Sequence, residues 1–327
     1  MKNNYYLLVL LSVFYCISPS ISSMAQPSDS LTACEFNPVL SKGEAGTWDH
    51  GCVFLPYLFY ENDTCYLFYT GTENIVSETT SIGYAVSKDG MIFTKHESPV
   101  LTADGSGFDA WGVDQGIVIK ISDEYIMYYN GRPTPIYGPW KFIGRATADH
   151  ISGPWTRLDT AILQSGESGQ WDYRWVTPCS VIEVDSGFLM YFQGIDYFPG
   201  GKGQIGLAYS SDGISWEKYN DPLTPDPPYS ASDPVLQPGV SGSWDDIAIL
   251  GCGVIKTEAE FEMFYAAEGL SGLAIGYATS EDGIEWTKDN SFLKYYPTND
   301  PYAVASGYTT IEYPCSFLYT QEQNYYV

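Results

Sequence analysis

The 327 residues carry 15 Lys and Arg against 40 Asp and Glu, a formal net charge of −25, with 44% hydrophobic and 16% aromatic residues. That length and apolar content suit one domain with a sizeable core. The charge disfavours nucleic acid and anionic polysaccharides, because like charges repel, and leaves neutral partners open.

Residues 1–25 read as a secretory signal. Lys2 precedes an apolar run from Tyr5 to Ile17, and Ser23-Met24-Ala25 is a small-x-small cleavage site before Gln26. Cys16 raises a lipoprotein alternative, which the bulk of Phe14-Tyr15 argues against. The run is too short for a spanning helix, so the expected location is secreted or periplasmic, with no membrane span. Residues 26–34 form a short leader to the domain, which is expected to occupy 35–327. Six cysteines follow the signal, at 34, 52, 65, 179, 252 and 315. An even count in an exported chain permits disulfides, but those at 52, 179, 252 and 315 fall on apolar strands and read as buried thiols.

The next element is Pro38-Val39-Leu40, followed by Trp48-Asp49, an apolar strand, a polar hairpin and the aromatic strand Tyr66–Tyr69. Ile82-Gly83-Tyr84-Ala85 then leads into Asp89-Gly90 and Phe93. The same order recurs about 60–70 residues on, with Phe108-Asp109, Tyr125–Tyr129 and Ile143-Gly144-Arg145-Ala146; here Ser-Gly-Pro replaces the Asp-Gly turn before Trp155. It recurs again with Trp171-Asp172, Ile205-Gly206-Leu207-Ala208, Asp212-Gly213 and Trp216. The last full copy has Trp244-Asp245, Phe261–Tyr265, Ile275-Gly276-Tyr277-Ala278, Asp282-Gly283 and Trp286. A strand-turn-strand unit at this period is the signature of a β-propeller, one blade per repeat. Pro99–Leu101 and Pro234–Leu236 are expected as the fourth strands of their blades. A fifth repeat opens near Tyr308, and its Pro314-Cys315-Ser316 matches Pro178-Cys179-Ser180. The expectation is therefore an all-β, five-bladed propeller, closed by the N-terminal strand at Pro38–Leu40 and cut short in its last blade at Val327.

Repetition separates structural residues from singular ones. The Asp after each opening aromatic (49, 109, 172, 245) recurs, so it serves each blade alike and is expected to hold backbone amides at the start of the strand. Six residues after the aromatic stand Phe54, Asp114, Thr177 and Leu250. Only the second blade places a carboxylate there, in Trp111-Gly-Val-Asp114, at the head of a strand expected to line a solvent-filled channel. A lone Asp in an apolar strand is paired, hydrogen-bonded or functional. His50, Arg174 and Asp246 are further singular polar residues at strand heads. The loops after the second strands bring Glu73, Arg132, Asp196 and Glu268 to the same end of the ring. Trp111 and Trp175 stand beside them as surfaces on which a sugar ring could stack.

These features resemble the five-bladed propeller glycosidases of glycoside hydrolase family 43 and its relatives, the arabinanases, β-xylosidases, invertases and levansucrases. The resemblance rests on the Ser-x-Asp-Gly-x-x-Trp turns at Ser210–Trp216 and Ser280–Trp286, the closing N-terminal strand, and Trp111-Gly-Val-Asp114. It implies three carboxylates at the channel mouth: a base on blade one, an orienting Asp on blade two and an acid on blade three. Asp114 matches the second. Phe54-Leu-Pro56 and Val176-Thr177-Pro178 depart from the pattern at the other two, which leaves Asp49 as the candidate base and Glu312, in Glu312-Tyr313-Pro314, as the candidate acid. Asp172 and Asp246 are further possibilities. Substrate contacts fall to Trp111, Arg132, Arg174, Trp175 and Asp196. No cofactor is expected; relatives can hold a channel calcium ion, which no loop here predicts. The implied activity is hydrolysis of a neutral plant or microbial oligo- or polysaccharide. The alternatives are a non-catalytic carbohydrate-binding propeller and a glycoside phosphorylase using Arg132 and Arg174 for phosphate.

Overall fold

The computed structural model describes residues 8–10, 14–16, 32–33, 39–74, 79–135, 142–196 and 201–290. Three short strands, β1 (Leu8–Leu10), β2 (Phe14–Cys16) and β3 (Thr32–Ala33), pair antiparallel near the N-terminus. Four antiparallel sheets follow, and they are the blades of a propeller. Blade 1 is β4 (Cys52–Glu61), β5 (Thr64–Thr72), β6 (Ser81–Ser87) and β7 (Thr94–Lys95). Blade 2 is β8 (Gly112–Ile121), β9 (Glu124–Arg132), β10 (Phe142–Ala148) and β11 (Thr156–Arg157). Blade 3 is β12 (Trp175–Val184), β13 (Gly187–Ile195), β14 (Gln204–Ser210) and β15 (Glu217–Lys218), with β16 (Pro234–Leu236) added to β14. Blade 4 is β17 (Ala248–Lys256), β18 (Phe261–Gly269), β19 (Gly272–Ser280) and β20 (Thr287–Lys288). The first strands β4, β8, β12 and β17 approach one another in succession, as strands nearest a common axis do. The described residues thus form four blades. The fifth repeat expected from Tyr308, with Glu312 and Cys315, lies outside them.

The sheets are held by apolar layers between neighbours. Phe68, Tyr84, Val118 and Met127 fill the space between blades 1 and 2; Ile117, Met190 and Phe192 that between 2 and 3; Tyr191, Cys252 and Met263 that between 3 and 4. Val39 and Leu40 pack on the opposite side of blade 1, against Leu58, Leu67 and Tyr69. They form a bend there, and their expected closure onto a last blade is not represented among the described residues.

Each repeated residue has a packing reason. The opening aromatic stacks on the ring of the second strand, Trp48 on Tyr69 with centroids 5.4 Å apart and Trp171 on Phe192 at 5.8 Å. In the third strand a Cβ on Gly144 would sit 2.6 Å from Tyr129 Cζ and 2.7 Å from Phe108, so only glycine admits the stacked rings. The Asp after the aromatic is buried in every blade and paired with the cation of the short outer strand: Asp49–Lys95, Asp109–Arg157, Asp172–Lys218 and Asp245–Lys288, at 2.5–2.7 Å. Tyr69, Tyr129 and Tyr265 also donate to their Asp.

The outer edge differs from expectation. Its fourth strand is split. Thr94-Lys95 and its counterparts pair with the far half of the third strand. Leu101, Leu163 and Leu236 bridge its near half at Ile82, Ile143 and Ile205. Pro99 and Pro234 have no amide hydrogen to donate to a ladder, so these segments pair only briefly: Pro234–Leu236 is the short strand β16, and Leu101 makes a single bridge.

Candidate functional site

The first strand of each blade is bulged near its head, with register shifts at Phe54/Tyr57, Asp114/Ile117, Pro178/Ser180 and Ile249/Gly251. A bulge re-aims the adjoining side chains and is common beside functional sites. In blade 2 it follows Asp114 directly, and Gln115 takes a left-handed backbone with φ of 48°. The Gln115 amide donates to Thr70 Oγ1 of blade 1 at 2.9 Å.

Asp114 does not open on a solvent-filled channel. It is 3% exposed and lies at the junction of blades 1 and 2. Thr80 donates to its Oδ1 at 2.6 Å, and Arg132 Nε stands 3.0 Å from its Oδ2. Arg132 Nη2 donates to the same Thr80 hydroxyl at 2.6 Å, closing a triangle of three side chains. The cost of burying the carboxylate is offset by the guanidinium, and both of its oxygens are engaged. This carboxylate therefore fixes Arg132.

Two groups of the expected residues come together. The Trp111 amide donates to the Arg132 carbonyl at 2.8 Å, so Trp111, Asp114 and Arg132 share one corner, with Trp111 38% exposed. On blade 3 the Arg174 amide donates to the Ile195 carbonyl at 2.7 Å, and Trp175 pairs in register with Ile195. That places half-buried Arg174 and Trp175 beside exposed Asp196. Asn130 joins the groups: it is the register partner of Asp114 and donates through Nδ2 to the Val176 carbonyl at 2.7 Å.

Asp49 is not in this assembly. It belongs to the blade clamp, taking Lys95 and Tyr69 on Oδ2 and Thr47 on Oδ1. Burial alone would raise its pKa, but the bonds from Lys95, Thr47 and Tyr69 outweigh it and hold the carboxyl below its ordinary value. The expected base is thus a structural anchor, like its three counterparts. Asp172, paired with Lys218, is another. Glu312 lies outside the described residues. Among the described residues, exposed Glu73, Asp196 and Glu268 and half-buried Asp246, which accepts from the Gly242 amide at 2.7 Å, also stand at this end.

Two members escaped sequence reasoning. Thr80 sits before β6, on the neighbouring blade, and no spacing relates it to Asp114. Asn130 had a visible signal, as the second-strand position opposite the singular Asp114. The arginines sort cleanly: Arg157 serves a clamp and Arg145 stands 3.5 Å from Glu124, which leaves Arg132 and Arg174 at the mouth. Among the described residues no group of three or more His, Cys, Asp or Glu converges as a metal ion would require.

The described residues form an all-β propeller, a fold shared with several solved structures. A Bacteroides thetaiotaomicron protein described as a candidate glycosidase superposes with a TM-score of 0.67, covering 88% of this chain and 89% of its own, at 17% identity. A mannoside-phosphorylase-family structure, whose description includes hydrolases targeting β-1,2 mannosidic linkages in Candida mannan, superposes at 0.59 over 78% and 77%, at 16% identity.

No family model matches the chain. By sequence, it is 35% identical over 112 residues to a β-1,2-mannobiose phosphorylase of Thermoanaerobacter sp. strain X514; the match spans 31% of this chain and 37% of that protein. It is 25% identical over 285 residues to the uncharacterized Mycobacterium tuberculosis protein MT1551, covering 83% and 85%. Membership in family 43 finds no support in these matches.

Proposed function

We propose that the chain cleaves a glycosidic bond of a neutral oligosaccharide at the mouth formed by blades 2 and 3, with inorganic phosphate as the acceptor. The observation that carries this reading is the commitment of the expected carboxylates: Asp114 to Arg132 and Thr80, and Asp49 to Lys95. Hydrolysis needs two working carboxyls, one to protonate the leaving oxygen and one to activate water. Phosphorolysis needs one acid and a cationic seat for phosphate. Half-buried Arg174 supplies a cation suited to phosphate oxygens, while Arg132 is buried against Asp114 behind it. Asp196, beside Arg174, is the nearest candidate acid. A phosphate oxygen bonds to the anomeric carbon, the glycosidic C–O bond breaks, and the acid's proton passes to the leaving oxygen. Trp111 and Trp175 supply stacking surfaces for the sugar rings. The mannobiose phosphorylase likeness supports the same chemistry.

Hydrolysis is the second reading, favoured by further carboxyls among the described residues at this end, Glu73, Asp196, Asp246 and Glu268. One assay separates the two. Neutral disaccharides, β-1,2-mannobiose among them, are incubated with and without phosphate. A sugar 1-phosphate formed only with phosphate is the expected product, and Arg174→Met should raise the phosphate KM by about tenfold or more. Two free sugars in the absence of phosphate would establish hydrolysis. No turnover of any substrate would leave a binding protein.

A further inference from the structure

The blade repeat exposes a second place that breaks its own pattern, away from the mouth. In each blade the Ala of Ile-Gly-x-Ala lies opposite the clamp cation of the short outer strand, and the next residue of the third strand faces the residue before that cation. In blades 1, 2 and 4 this cross-strand pair is Val86–Thr94, Thr147–Thr156 and Thr279–Thr287. In blade 3 it is Tyr209–Glu217. The clamp itself is intact in blade 3, so neither substitution serves the ion pair that holds the edge.

An independent feature falls on the same pair. A groove of about 380 Å³ opens here, lined by Phe188, Tyr209, Trp216 and Glu217 with the hydroxyls of Ser211 and Ser215. That volume lies in the range of small-ligand sites. Tyr209, Phe188 and Trp216 are each half-buried, while Ser211, Ser215 and Glu217 are exposed. Ser211 stands where blades 1 and 4 carry Lys88 and Glu281. The blade has thus exchanged a charged turn residue and two small strand residues for a hydroxyl, an aromatic ring and a carboxylate.

We propose that this groove is an accessory binding site for a neutral saccharide unit, on the end of blade 3 opposite the mouth. A pyranose offers an apolar C–H face that gains by leaving water against an aromatic ring. Its hydroxyls donate to carboxylate and serine oxygens, as Glu217, Ser211 and Ser215 offer. An acidic sugar would meet Glu217 and the field of a chain carrying −25 charges, so neutral units are selected. The site would hold a distant part of a long glycan, or keep the protein on a polymer. It deepens the reading that the chain handles neutral glycans, and its test needs no turnover.

The test is electrophoresis of the full chain through native gels containing soluble mannan, xylan, arabinan or galactan. At least one polymer should retard it. The variant Tyr209→Val/Glu217→Thr installs the pair that blade 1 carries, so its thermal midpoint should stay within about 2 °C; Tyr209→Thr, matching blades 2 and 4, is the second variant should the first fold poorly. Both should weaken the retardation at least tenfold. The proposal falls if none of the four polymers retards the wild-type chain, or if the variants are retarded as strongly as it is. Retardation abolished by Trp111→Ala but untouched by the groove variants would place all glycan binding at the mouth, overturning the groove and sparing the proposed function.

Discussion

Asp114, Arg132 and Thr80 show how one position can mislead about its role while marking its place well. A carboxylate singular to one blade is visible in the sequence, and so is an arginine in the loop across the hairpin. Their pairing depends on how β8 and β9 bring residues 114 and 132 to one corner, and on Thr80 arriving from blade 1. The energetic consequence is asymmetric. Asp114→Asn leaves a buried guanidinium without its counter-charge, and that should cost roughly 3–5 kcal/mol. Removing both charges in Asp114→Asn/Arg132→Met should recover most of the loss, since the pair itself contributes little beyond its own desolvation. Urea unfolding of the two variants measures this directly. Equal destabilisation by single and double variant would mean that the cost comes from lost packing and not from an unpaired charge.

At the scale of the element, the turn closing the third strand is a small electrostatic device. In blade 3, Asp212 Oδ1 accepts from the Ile214 and Ser215 amides at 2.8 and 2.7 Å, and Ser210 donates to it. The bonds from Ser215 and Ile214 favour the ionised form and lower the carboxyl to about 2. Asp89 and Asp282 hold the same bonds in blades 1 and 4 and are lowered too, against the opposing effect of burial. A depressed folded-state pKa contributes stability that is present above the ordinary Asp value near 4 and lost as pH falls toward 2. Asp212→Asn keeps an oxygen for the two amides but removes the titration. Its unfolding midpoint should therefore lie below wild type at pH 7 and converge with it near pH 2. A constant gap across that range would assign the turn's contribution to geometry and not to charge. These turns, and the glycines beneath the stacked rings, are why the blade count through residue 290 was legible: each repeat solves one packing problem with the same residues. The split outer edge was not, because two-residue strands such as Glu217-Lys218 carry no alternation to read and are held by a clamp whose Asp lies 46 positions away. The site was legible only as singular residues, since its contacts cross from blade to blade.

Across the whole molecule, the blades are tied by side chains that reach from one sheet into the next. Tyr128 of blade 2 donates to the Gly213 carbonyl in the turn of blade 3 at 3.0 Å, and Tyr191 of blade 3 donates to Gly283 of blade 4 at 2.9 Å. The ring of each also meets the following Trp edge-on, Trp216 and Trp286 respectively. Blade 1 has Phe68 at this position, and the turn it faces is the Ser-Gly-Pro variant with Trp155, where no Asp-Gly carbonyl is available. The hydroxyl is present at the two interfaces where an Asp-Gly turn faces it and absent where the Ser-Gly-Pro turn does. Tyr128→Phe should leave the Gly213 carbonyl without its donor, costing about 1–2 kcal/mol. Tyr191→Phe should cost less, because Trp286 Nε1 also donates to Gly283 at 3.1 Å and keeps that carbonyl satisfied. The two changes lie on different interfaces and share no partner, so in the double variant their costs should add to within about 0.5 kcal/mol. Urea unfolding of both single variants and the double one decides the matter. A double loss well beyond the sum would mean that the blades yield together as one cooperative ring, and a larger cost for Tyr191→Phe than for Tyr128→Phe would overturn the carbonyl argument on which the ranking rests.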